Sequence, residues 1–166
     1  MASQIYEGSS CSNTYVTSAH VLGFEEKTSY FHSEYYFIIE VTWNYGRTDR
    51  IRRRYLDFFY MQCAILDRFP EQNNPVTRTL PYLPGRKMFT FNTRKVAESR
   101  VKQLNAYLEQ LIHQDHSISQ SNMVLNFFEF LSSDDDISTS EFSQQMSINN
   151  CTDRQFGSKS DLLNDP

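Results

Sequence analysis

Arg52, Arg53 and Arg54, followed at once by Tyr55, are the residues best equipped for chemistry in this 166-residue chain. A guanidinium presents a planar fork that donates two parallel hydrogen bonds to phosphate oxygens. The Tyr55 ring offers a flat face on which a ligand can pack. A strand edge kept soluble by its arginines would use the same residues, so the run gains meaning only beside others. Arg86 and Lys87 follow a proline turn, and Met88-Phe89-Thr90-Phe91 comes directly after them. A cationic pair abutting an apolar cluster is what a membrane-dipping surface requires, although simple core packing would use the same apolar residues. Arg100 stands one residue before Val101, at the rim of an apolar helical stripe. From a rim position a guanidinium can reach a pocket between helix and sheet rather than bulk water.

Other chemistries are not encoded. The glycines at 8, 23, 46, 85 and 157 are scattered singly, so no phosphate-cradling loop forms, and no GxSxG, HExxH or zinc-type Cys/His spacing occurs. His113 and His116 could face one ion but lack a third ligand. Asp134-Asp135-Asp136 lacks the glycine and spacing of a calcium loop. No nucleophile–base pair is defensible, so an enzyme is not expected, and neither a metal nor a cofactor. Cys11, Cys63 and Cys151 are odd in number and far apart, and read as reduced thiols, with Cys63 buried.

Charge narrows the partners. The net charge is −4, but the acids concentrate from Asp134 onward, leaving about +1 for residues 1–133. A near-neutral domain lacks the many phosphate contacts that long nucleic acid demands, so nucleic acid is excluded as a partner. Met-Ala-Ser-Gln at the start is unlike a signal peptide, and no stretch approaches a membrane span. The expected setting is cytoplasmic, with peripheral binding to a membrane.

The bases must be held by structured elements. Residues 1–12 are polar and Ser-rich, a flexible leader. Tyr15 to Phe24 reads as a strand and Glu25 to Ser29 as a turn. Tyr35 to Trp43, dense in aromatic and β-branched residues, is a second strand. Asn44-Tyr45-Gly46-Arg47 supplies a turn, and Thr48 to Arg54 returns as a third strand. Helical spacing follows over Tyr55 to Phe69, ended by Pro70. Pro81-Tyr82-Leu83-Pro84 has polyproline II spacing. Helices are expected over Thr93 to Gln114 and Ser121 to Leu131. The fold class is α+β: a three-stranded antiparallel sheet against a small helical subdomain with a proline-rich turn. Residues 13–131 make one domain, and 132–166 an acidic, Ser-rich tail with little to bury.

That order of elements, with Arg53-Arg54-Tyr55, Asp57-Phe58, Arg68-Phe69-Pro70-Glu71, the segment Arg78 to Pro84, and Leu125-Asn126-Phe127-Phe128-Glu129, resembles the Phox-homology (PX) domain. The similarity covers roughly Tyr15 to Leu131 and runs toward the organiser subunits of NADPH oxidase and the Tks-type SH3-PX scaffolds. It implies a phosphoinositide-binding module that targets a cytosolic protein to endosomal or plasma membrane containing 3-phosphorylated inositides, either phosphatidylinositol 3-phosphate or the 3,4-bisphosphate. In that pattern Arg54, with Arg53 beside it, takes the 3-phosphate. Tyr55 floors the inositol ring, Arg100 bonds the ring hydroxyls, and Arg86 or Lys87 takes the 1-phosphate. Phe31, Met88, Phe89 and Phe91 match positions that enter the bilayer. Arg78 matches a base of a second anion pocket, but Gln62 and Leu66 stand where its other bases would be. The implied partners are an inositide headgroup and an anionic membrane surface, bound by a monomer. Pro81-x-x-Pro84-x-Arg86 also fits an SH3-ligand pattern, and an SH3-binding adaptor with little lipid affinity is the alternative.

Overall fold

The computed structural model describes residues 13–30, 33–85 and 93–130. Three antiparallel strands, β1 (Val16–Thr28), β2 (Ser33–Trp43) and β3 (Thr48–Arg54), form one sheet in the order β1-β2-β3. Strict alternation builds its inner face. Tyr35, Phe37, Ile39, Val41 and Trp43 of β2 are buried while the residues between them are partly exposed. The β2–β3 hairpin closes at Gly46, whose positive φ of 85° suits the one residue type without a Cβ.

β1 is longer than its sequence suggests. Glu25, Glu26 and Lys27, expected as a turn, continue the strand by pairing with Tyr36, Tyr35 and Glu34. A well-formed neighbouring strand outweighs local composition there. β1 is irregular between Val21 and Gly23, and Asn105 uses the break: its side chain accepts from Val21 N at 2.7 Å and donates to Val21 O at 3.0 Å.

The helices are α1 (Tyr55–Arg68), α2 (Arg94–Ile112), α3 (His116–Ser119) and α4 (Asn122–Phe128), with a 3-10 turn at Pro70–Asn73. α3 and the 3-10 turn were not expected. Pro70 still stops α1, and Asp115 caps α3 by accepting from Ser117 N at 2.9 Å. Phe58 and Ile65 of α1, Leu104 and Leu108 of α2, and Val124 and Phe128 of α4 are wholly buried against the inner face of the sheet or one another. Each such side chain contributes about 1.5–3 kcal/mol of apolar burial. Cys63 is buried as expected, but it is disulfide-bonded rather than a reduced thiol.

Candidate functional site

Strand alternation sets the first division of labour. In β3 the side chains of Arg52 and Arg54 turn outward, and that of Arg53 turns inward. Arg53 is 5% exposed. Its Nε donates to the Phe127 carbonyl at 2.8 Å and its Nη2 to the Glu129 carbonyl at 2.6 Å. Its guanidinium carbon also lies 5.6 Å from the Phe127 ring centroid. These bonds fasten the end of α4 to β3, so Arg53 is structural. The expectation that it joins Arg54 on a ligand is corrected by the two-residue period of the strand.

Arg54 occupies the N-cap of α1, where extended backbone (φ −81°, ψ 161°) gives way to helix. Asp57 stabilises this junction twice. One oxygen accepts from Arg54 N at 2.7 Å, and the other lies 3.2 Å from Arg54 Nη2. Glu34 Oε1 stands 3.9 Å from Arg54 Nη1, and its second oxygen accepts from the Tyr36 hydroxyl at 3.0 Å. Burial alone would weaken the Arg54 charge, but Asp57 foremost, with Tyr36 and Glu34, raises its pKa above the ordinary value. Desolvation and the Glu34 carboxylate likewise raise Tyr36, keeping it a neutral donor.

Tyr55, the first residue of α1, joins three elements. Its hydroxyl donates to the Pro84 carbonyl at 2.5 Å. The Arg100 guanidinium of α2 lies over its ring, 3.9 Å from the centroid, a cation–π stack. Tyr55 thus brings Arg100 and the end of the proline turn together at the first residue after Arg54, where β3 becomes α1. Arg86, Lys87, Met88, Phe89, Phe91 and Phe31 lie outside the described residues. Tyr30, which precedes Phe31, is fully exposed.

The proline turn is fixed from both sides. Gln62 of α1, wholly buried, donates to the Pro81 carbonyl at 2.9 Å and accepts from the Tyr107 hydroxyl of α2. Gln72 accepts from Thr79 N at 3.0 Å and Leu80 N at 2.9 Å. Arg78 donates to the carbonyls of Leu80 (2.8 Å) and Pro81 (3.2 Å) and lies 3.9 Å from the Tyr82 centroid. Burial lowers the Arg78 pKa. This guanidinium is committed to backbone rather than to a second anion pocket. Pro81 is buried and Pro84 half-buried, with both carbonyls accepting bonds. An SH3 groove needs that polyproline face exposed, so Pro81 and Pro84 are poorly placed as an SH3 ligand, and Arg86 lies outside the described residues.

The sequence did not reveal Glu34 and Tyr36 as neighbours of Arg54. Their only signal was a two-residue spacing, which becomes informative once the β2–β3 register sets Tyr36 opposite Arg54. Among the described residues no group of His, Cys, Asp and Glu could hold a metal ion. No described helix is long and apolar enough to cross a membrane.

Comparison with known proteins agrees with this fold. The model of the PX domain family matches residues 41–131. SH3 and PX domain-containing protein 2B of Homo sapiens is 42% identical over 99 residues, covering 57% of this chain and 11% of that protein. Neutrophil cytosol factor 4 of Mus musculus is 39% identical over 97 residues, covering 57% of this chain and 28% of that protein. The chain therefore spans only a fraction of the length of these relatives. Among solved structures, a designed CISK-PX domain superposes with a TM-score of 0.55 at 21% identity, covering 66% of this chain and 96% of that one; it supports the fold. PX domains are in general non-catalytic, phosphoinositide-binding modules. An α+β sheet-and-helix domain with Arg-Tyr at its strand-to-helix junction, matched by the family model over more than half its length, belongs to the PX domain family.

Proposed function

We propose that residues 13–131 bind the headgroup of a 3-phosphorylated inositide and so recruit a cytoplasmic protein to the surface of an endosomal or plasma membrane. Arg54 takes the 3-phosphate, Tyr55 supports the inositol ring, Arg100 bonds the ring hydroxyls, and Arg86 or Lys87 takes the 1-phosphate. Phe31, Met88, Phe89 and Phe91 enter the bilayer; Tyr30, which precedes Phe31 in the chain, is fully exposed. The observation that carries this reading is the stack of Arg100 on Tyr55, with Arg54 immediately before Tyr55 and Pro84 bonded to its hydroxyl. One guanidinium stacks on that ring, a second belongs to the residue before it, and the turn that leads to a third base is bonded to its hydroxyl. Charge-assisted bonds select the headgroup, and apolar burial adds membrane affinity. An NADPH oxidase organiser or an SH3-PX scaffold is the kind of parent protein that fits.

Liposome co-sedimentation tests it. Binding must require the 3-phosphate on the lipid and be lost in Arg54→Ala, a truncation worth roughly 2–5 kcal/mol by analogy with buried interfacial charge pairs. Binding to phosphatidylinositol without ring phosphate, or an Arg54→Ala variant as good as wild type, would overturn it.

A further inference from the structure

The two carboxylates beside Arg54 are not equivalent. Asp57 holds both the Arg54 backbone N–H and its Nη2, so it builds the junction. Glu34 stands farther out, 3.9 Å from Nη1, with its side chain 41% exposed. It is brought there by β2: Tyr36 pairs with Arg54 across the sheet and donates its hydroxyl to Glu34. Asp57 and Glu34 both stand beside Arg54, so two carboxylates offset that one guanidinium. A headgroup with one ring phosphate brings one anionic group toward these carboxylates, whereas a second ring phosphate adds further charge that they repel.

We propose that Glu34 is a specificity-determining residue that biases the site toward headgroups with a single ring phosphate, in addition to the phosphodiester position, over those with two. This rests on the headgroup reading above. A phosphate monoester carries about −1.5 to −2 charge near neutral pH, so each added phosphate increases repulsion from a fixed carboxylate. Glu34 stands 3.9 Å from the guanidinium that the headgroup reading gives to the 3-phosphate, well inside the screening length of about 8 Å at physiological salt. The repulsion therefore persists under those conditions. A like charge placed against the wrong ligand is a common route to discrimination. Asp57 holds both the Arg54 backbone N–H and its Nη2, so the Glu34 charge can be removed while those two contacts remain.

The test is calorimetric titration of the 166-residue chain with inositol 1,3-bisphosphate and inositol 1,3,4-trisphosphate, the soluble headgroups with one and two ring phosphates beyond position 1. Wild type should prefer the first. Glu34→Gln keeps an acceptor for Tyr36 and should strengthen trisphosphate binding about tenfold and bisphosphate binding by clearly less, the difference shrinking at high salt. Glu34→Ala, which lacks that acceptor, should move the ratio in the same direction. A wild type that prefers the trisphosphate, or variants with an unchanged ratio, would overturn the proposal. Arg54→Ala, titrated in parallel, separates the two failures. If it abolishes binding while the Glu34 variants leave the ratio alone, only the filter is wrong. If it binds as wild type does, or wild type binds neither compound, the headgroup reading falls as well.

Discussion

Arg53 and Arg54 are adjacent in the chain and opposite in role. Arg53→Met keeps the aliphatic bulk but leaves the Phe127 and Glu129 carbonyls without their donor. It should lower unfolding free energy by about 2 kcal/mol in urea titration, while the fraction that remains folded binds lipid normally. Arg54→Ala should do the reverse, abolishing headgroup binding with little change in stability. Tyr55→Phe isolates a third contribution: it keeps the ring under Arg100 and removes the bond to Pro84. A loss of about 1 kcal/mol in stability with weakened but measurable binding is expected. Residue types and positions offered Arg54, Tyr55 and Arg100 as candidates for one constellation, but a soluble strand edge would use the same arginines, and the resemblance to the PX domain assigned the roles. The roles of Arg53 and Glu34 were not legible, since which side of β3 a side chain takes, and what faces it, depends on pairing with β2.

At the scale of elements, the sheet and long helices follow from alternation and helical spacing in the sequence. The departures come from partners distant in the chain. β1 runs on to Thr28 because β2 offers it a ladder, and α2 is pinned to the β1 irregularity by Asn105. The proline turn was recognisable, but not the glutamines that hold it. Gln72→Ala leaves the amides of Thr79 and Leu80 without their acceptor. It should cost about 2 kcal/mol, read by chemical denaturation, and weaken headgroup binding less than Arg54→Ala, because the turn only leads to the bases that follow it. The cap of α3 gives a pH signature. Bonds from Ser117 hold the Asp115 carboxyl below its usual pKa. A depressed native pKa contributes stability that is present above the ordinary carboxylate pKa and lost as pH falls through the lower native value. The gap in unfolding midpoint between wild type and Asp115→Ala should therefore be largest near neutrality and close in strong acid.

The whole molecule is a scaffold that brings β3, α1, α2 and the proline turn to one corner. Its apolar core says little about function; the proposed headgroup site lies at the corner. The buried Pro81 also separates the lipid reading from an SH3-ligand reading at this scale. Pro84→Ala should leave an SH3 domain no less able to ignore this chain, whereas Arg54→Ala should detach the chain from liposomes. The most direct measurement of convergence is the nitrogen-15 spectrum of the arginine side chains during titration with inositol 1,3-bisphosphate. The Nε–H signals of Arg54 and Arg100 should shift together with one apparent affinity, while those of Arg53 and Arg78, already committed to backbone carbonyls, stay in place. Independent shifts of Arg54 and Arg100, or none at saturating headgroup, would show that they do not share a ligand and would contradict the account.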